Sequence, residues 1–263
     1  HDCEADYHRT MRLLGQLALL GLLLAAPIFS YADSRISAYT LMSPSNQAMQ
    51  NDMNLNPAMF WIMDGEALWA DRNNPSNKAC VDCHRDTKQS MKGVSATFPK
   101  RVQGKLPNLE GQINQCRTTR QQLPTLAYES KPLLALSTLI AYQSRGLRIA
   151  ASRDSALEPD LQKGKLLYFQ RMGQLNLSCA QCHDERAGLK LAGSVIPQAH
   201  PTGYPIYRLE WQNVGSLQRR LRNCMSGVRA EQYAYGSLEL SQIELYLMQR
   251  ANGMRIESPA VRP

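Results

Sequence analysis

Two stretches, Cys80-Val-Asp-Cys83-His84 and Cys179-Ala-Gln-Cys182-His183, each set two thiols and an imidazole within five residues. Two cysteines three apart with a histidine directly after form the attachment signal of a c-type haem: the thiols bond the porphyrin vinyl groups and the histidine is carried to the iron. The pattern predicts two c-type haems, attached through Cys80, Cys83, Cys179 and Cys182, with His84 and His183 as proximal axial ligands. Two such motifs in one chain leave little room for a chance match or a thioredoxin-like redox site.

The sixth position of each iron must be filled from elsewhere. After residue 32 the chain has one further histidine, His200, which reads as a loop residue beside Pro201. Methionine is the usual distal ligand of small electron carriers, yet none lies between Lys92 and Arg171, and Met91 follows His84 too closely to wrap around a haem. Cys116 is therefore the one soft ligand of the first half. Cys224 takes the matching place in the second, with Met225 beside it as a rival. A Cys116–Cys224 disulfide is the alternative for the two spare thiols. Matching positions on two separate haem faces oppose it, because bridged Cα atoms lie within about 7 Å. Thiolate ligation stabilises ferric iron and lowers both potentials, which counts against a plain electron carrier.

Only one of the two spare thiols is furnished for an anion. In Leu217-Gln218-Arg219-Arg220-Leu221-Arg222-Asn223-Cys224, Arg220 lies one helical turn before the thiol, whereas the matching residue before Cys116 is Gln112. A cation there lowers the thiol pKa and draws in an anion that must meet sulfur. At ~4 Å and an effective dielectric of ~20, one charge pair amounts to ~4 kcal/mol before desolvation. Cys224 is thus the candidate catalytic residue and Arg220 the candidate substrate-binding residue. Arg219 and Arg222 read as a solvated helix face or as contacts to haem propionates.

The elements that must position these groups repeat. Gly65 and Gly164 each precede a motif by 15 residues, and an aromatic, Trp69 or Tyr168, follows each glycine by four. Leu109, Ile113 and Cys116 recur as Leu217, Leu221 and Cys224, an i, i+4, i+7 stripe on one helical face. Each stripe precedes a Leu-rich helix, Lys131 to Arg145 and Leu238 to Arg250, closed by Gly146 and Gly253. The predicted fold is mainly α, two tandem cytochrome c-like domains in series, each with one covalently attached haem. The expected boundaries are an irregular N-terminal extension over 33–57, a first haem domain over 58–146, a linker over 147–159, and a second haem domain with the candidate active cysteine over 160–263. The tail Glu257 to Pro263 is expected to lie over the surface.

Met11-Arg12, an apolar run from Leu13 to Phe29 and then Ser30-Tyr31-Ala32 have the layout of a cleaved secretory signal, which puts the expected mature start at Asp33 and the protein in the periplasm. The run is shorter than the ~20 residues a membrane span needs, so no span is expected in the mature form. Removing residues 1–32 takes two bases from 30 and three acids from 22, leaving a net charge of +9. That excess suits an anionic substrate or an acidic partner, and export argues against nucleic acid.

Several stretches together resemble the SoxA family: Asn56-Pro57 to Trp61, Gly65 to Trp69, Tyr207-Arg208-Leu209-Glu210-Trp211-Gln212, Gly215 to Cys224, Gly227-Val228-Arg229-Ala230-Glu231, Tyr235-Gly236-Ser237 and Ile256 to Arg262. SoxA is the dihaem subunit of the SoxAX cytochrome of periplasmic sulfur oxidation. The resemblance implies an L-cysteine S-thiosulfotransferase, which joins thiosulfate oxidatively to a cysteine of the carrier SoxYZ as a protein S-thiosulfonate and passes two electrons to a c-type cytochrome. It also implies a heterodimer with the monohaem cytochrome SoxX. The family's active, iron-ligating cysteine falls on Cys224 and its substrate arginine on Arg220. Two other functions compete with this reading: a thiosulfate dehydrogenase forming tetrathionate, and a dihaem electron carrier.

Overall fold

The computed structural model describes residues 33–263; the predicted signal over residues 1–32 lies outside the described residues. Helix α1 (Pro44–Asn51) opens where the Ser43 hydroxyl accepts from the Asn46 amide with Pro44 in the first turn. The expectation of an irregular segment over 33–57 is corrected here, because this cap and a short 3-10 turn at Ala38–Leu41 order much of it.

The first half continues with α2 (Met59–Ala70), the attachment turn α3 (Cys80–His84), α4 (Thr87–Ser90), α5 (Leu109–Cys116) and α6 (Lys131–Tyr142). The second runs through α7 (Glu158–Phe169), the attachment turn α8 (Cys179–His183), α9 (Leu217–Gly227) and α10 (Leu238–Arg250). The fold is mainly helical, with two tandem cytochrome c domains. The repeat predicted from glycine spacing has a structural cause. A Cβ on Gly65 would lie 2.5 Å from the Ala135 carbonyl oxygen and 2.9 Å from Leu139 Cβ. A Cβ on Gly164 would overlap the carbonyl of Gln242 and approach Tyr246 Cβ to 3.1 Å, at the corresponding places on α10. Each glycine therefore lets a first helix cross directly on the backbone of a last helix.

The aromatic residues four positions on do matching work. Trp69 Nε1 donates to the Arg85 carbonyl at 2.9 Å, and Tyr168 Oη donates to Asp184 Oδ1 at 2.9 Å; each acceptor belongs to the residue after a motif histidine. The polar edge of each aromatic thus ties the crossing helices to the end of the attachment turn. Gly164→Ala should consequently cost about 1–3 kcal/mol by overpacking against an immovable backbone, read as a lower denaturation midpoint with the haem count unchanged.

A three-stranded sheet of order β4-β3-β5 joins β3 (Ile206–Arg208) antiparallel to β4 (Asn213–Gly215) and parallel to β5 (Ala260–Arg262); a separate hairpin pairs β1 (Lys190–Leu191) with β2 (Ser194–Val195). The expectation that the tail lies over the surface is corrected by β5: Ala260 and Val261 are fully buried. Pairing with β3 satisfies one edge of the tail. The side chain of Gln50 on α1 covers it, its Oε1 accepting from the Val261 amide at 3.1 Å and from Arg262.

The two halves meet around equivalent residues. Tyr128 and Tyr235, each three residues before its Leu-rich helix, stack with ring centroids 5.8 Å apart and planes 11° from parallel. Beside them Glu110 and Glu244 are both buried, and Asn108 Nδ2 donates to Glu244 Oε1 at 3.3 Å. The chain between the halves is also packed: Ile149 donates to Met254 and accepts from Gly253, both at 2.8 Å, and is 2% exposed. Among the described residues no helix is long and apolar enough to cross a membrane.

Candidate active site

In the second half the Ser178 hydroxyl caps α8 by accepting from the Gln181 amide, so the attachment motif is a tight turn that presents His183 at its end. His183 Nδ1 donates to the Pro197 carbonyl at 2.7 Å. That bond sets the ring tautomer and leaves the other nitrogen for an axial role. Ser216 caps α9 in the same way, accepting from the Arg219 amide at 3.1 Å, and the helix carries Cys224 to His183, with which its sulfur hydrogen-bonds.

Burial alone would raise the Cys224 pKa. The His183 contact and the charges of Arg220, His183 and Arg208 outweigh it, and the thiol is held below its ordinary value. By contrast, burial and the nearby Cys224 charge push Cys179 up to about 11. Arg220 is partly buried and its charge is favoured, since the pull of Cys224, with Tyr204 and Glu210, exceeds the cost of its burial. The predicted pair of Cys224 and Arg220 therefore lies together, beside the predicted proximal histidine.

The neighbouring candidates fall elsewhere. Arg219 stacks on Trp211 with its guanidinium carbon 4.1 Å from the ring centroid, and Arg222 lies 4.3 Å over Tyr235 and donates to the Tyr233 carbonyl. Met225 is buried one residue round the helix. His200 Nδ1 bonds to the Ile36 carbonyl at 3.1 Å.

The first half repeats the layout with neutral groups. Cys116 lies within electrostatic range of Cys80, and Gln112 Nε2 donates to Cys116 Sγ at 3.4 Å, where Arg220 stands in the second half. His84 is exposed, its ring centroid 5.6 Å from that of Trp69. No disulfide joins any of the six cysteines among the described residues. Both donor sets fit a c-type haem: two thiols and a histidine on one turn, with a further soft sulfur approaching from the following helix.

Sequence reasoning missed Tyr204 and Arg208 as site residues. Both lie within electrostatic range of Cys224 and Arg220. No local pattern gave them away: Tyr204 precedes β3, and on β3 both Ile206 and Tyr207 are buried before the partly buried Arg208.

Comparison with known proteins agrees with this geometry. The sequence matches the family described as SoxA/TsdA, cytochrome c domain, over residues 64–149 and 163–256. It is 34% identical to the L-cysteine S-thiosulfotransferase subunit SoxA of Rhodovulum sulfidophilum over 86% of this chain and 79% of that protein. It is 32% identical to the subunit of the same name from Paracoccus pantotrophus, over 88% and 80% of the two chains. A chain in the crystal structure of SoxXA from P. pantotrophus superposes with a TM-score of 0.84 at 31% identity, covering 87% of each chain. With both haem motifs inside the matched segments, the chain belongs to the SoxA family and its cofactors are two c-type haems.

Proposed function

We propose that this chain is the SoxA subunit of an L-cysteine S-thiosulfotransferase, with Cys224 as the catalytic thiol and Arg220 as the group that brings thiosulfate to it. The supporting observation is the capped helix α9, which carries Arg220 one turn before Cys224 and sets both beside His183 at the end of the attachment motif. The overall reaction joins a carrier thiol and thiosulfate into a carrier S-thiosulfonate, releasing one proton and two electrons. Two balanced steps achieve this. The Cys224 thiolate and the sulfane sulfur of thiosulfate form an S–S bond with loss of two electrons. A carrier thiolate then attacks the sulfane sulfur, taking the thiosulfonate and returning the Cys224 thiolate. Haem, when bound, supplies the one-electron acceptor chemistry.

The roles of this chain's residues follow from charge. Arg220 offsets the repulsion between a thiolate and a dianion, and His183 is held by Pro197 in the orientation that faces Cys224. His84 and Cys116 would hold the iron of the first haem, and His183 and Cys224 that of the second. The neutral Gln112 at Cys116 supports an electron-transfer or structural role for the first haem.

The P. pantotrophus crystal structure is that of SoxXA, which supports a monohaem SoxX-like partner completing the site. The carrier is SoxYZ-like, the acceptor a small c-type cytochrome and the compartment the periplasm. Incubating the haem-loaded heterodimer with thiosulfate, carrier and oxidised cytochrome c should add one thiosulfonate to the carrier's cysteine, seen by intact mass. Tetrathionate formation from thiosulfate alone, with the carrier unmodified, would instead establish a thiosulfate dehydrogenase. Arg220→Ala should raise the thiosulfate KM about tenfold to a hundredfold, the loss expected for a hydrogen-bonded charged group, with both haems retained.

A further inference from the structure

Arg208 ends β3, Asn213 opposite it begins β4, and β4 runs directly into the Ser216 cap of α9. The strand pair and the helix are one continuous unit, so the positions of Arg208, Arg220 and Cys224 are set relative to one another. The Arg208 side chain is 15% exposed. Its Nη2 pairs with Glu210 Oε2 at 2.8 Å, and its guanidinium carbon lies 5.2 Å over the Trp211 ring. Its Nε is buried without a hydrogen-bond partner.

Two like charges are thereby drawn together. Burial and the nearby Arg220 charge both work against the charged form of Arg208. Arg220 has no carboxylate hydrogen-bonded to it among the described residues, and the one acid close to both, Glu210, is largely exposed at the rim. Two neighbouring guanidinium groups repel, and an anion between them would relieve that repulsion. Glu210 serves Nη2 of Arg208 at the rim, which leaves the buried Nε of Arg208, and Arg220, without a hydrogen-bonded anion among the described residues.

We propose that Arg208 is a second substrate-positioning residue, holding the sulfonate end of the thiosulfate dianion while Arg220 serves the end that meets Cys224. This rests on the thiosulfotransferase reading and adds to it. A sulfonate offers three acceptor oxygens in a shape that a planar guanidinium edge matches, and the unpartnered Nε belongs to such an edge. Glu210 and Trp211 hold that edge in one orientation.

The test uses the haem-loaded SoxX-like heterodimer and measures thiosulfate binding by calorimetry together with loading kinetics. Arg208→Gln should weaken binding and raise KM about tenfold or more, the loss expected for a charge-assisted contact, with kcat changed by less than about threefold and the visible spectrum unaltered. Arg208→Lys should recover part of the binding. Wild-type affinity in Arg208→Gln would overturn the proposal, as would loss of the second haem in both variants, which would make Arg208 a purely structural residue. Failure of the wild-type heterodimer to bind thiosulfate at all would instead remove the functional reading beneath it.

Discussion

Cys224→Ala should lower thiosulfate-dependent carrier loading by about a thousandfold or more, the scale on which removal of a covalent nucleophile acts, while both haems stay attached. The cysteines proposed for attachment, Cys80, Cys83, Cys179 and Cys182, sit on turns that Cys224 does not build. What the substitution removes is the one thiol whose charge is stabilised by a histidine and two arginines. Cys116→Ala is the informative comparison. It deletes a sulfur at the equivalent point of the repeat, where the neighbour is the amide of Gln112, and should alter the first haem's spectrum at far smaller cost to loading. Carrier mass and a haem count by difference spectroscopy decide the matter. Normal loading by Cys224→Ala would rule out its catalytic assignment, and so would an equal loss in Cys116→Ala.

How much of this was legible beforehand depends on the range of the interactions. The attachment motifs and the capped helix from Leu217 to Cys224 are local, so residue spacing suffices to read them. The duplication was legible because close helix crossing demands the same small residue twice, at Gly65 and Gly164. Arg208 is different. Its place follows from a strand paired on one side with Asn213 and on the other with Arg262, a contact 54 positions away. Nothing local in a tail containing Pro259 announces a parallel strand, which is also why burial of Ala260 and Val261 was missed. The acids at the joint between the halves were hidden for the same reason: Glu110 and Glu244 each read as one polar residue on an amphipathic helix until the halves are packed.

That joint carries the second large effect. Glu110 and Glu244 are 7% and 6% exposed, and they face Glu129, Tyr128, Asn108, Ser137 and Gln218, with the charge of Arg219 reaching only Glu129. Burial, and then mutual repulsion with neighbouring acids, pushes Glu110 from 4.5 to about 7 and Glu244 to about 8. Both line a cavity of about 60 Å³ between the halves, with Leu217 and Tyr204, roomy enough for water to carry protons to them. The folded chain therefore binds more protons than the unfolded chain between pH 4.5 and about 8. By linkage the buried pair leaves stability untouched below that window, where its carboxyls are protonated in both states, and destabilises the fold increasingly as pH rises through it. The double variant Glu110→Gln, Glu244→Gln keeps the hydrogen-bonding shape without the charge. Its denaturant midpoint should match the parent's near pH 5 and exceed it near pH 9, because only the parent must then bury carboxylates or take up protons to stay folded. Parallel pH profiles for the two proteins would show that these acids titrate alike in the folded and unfolded chains.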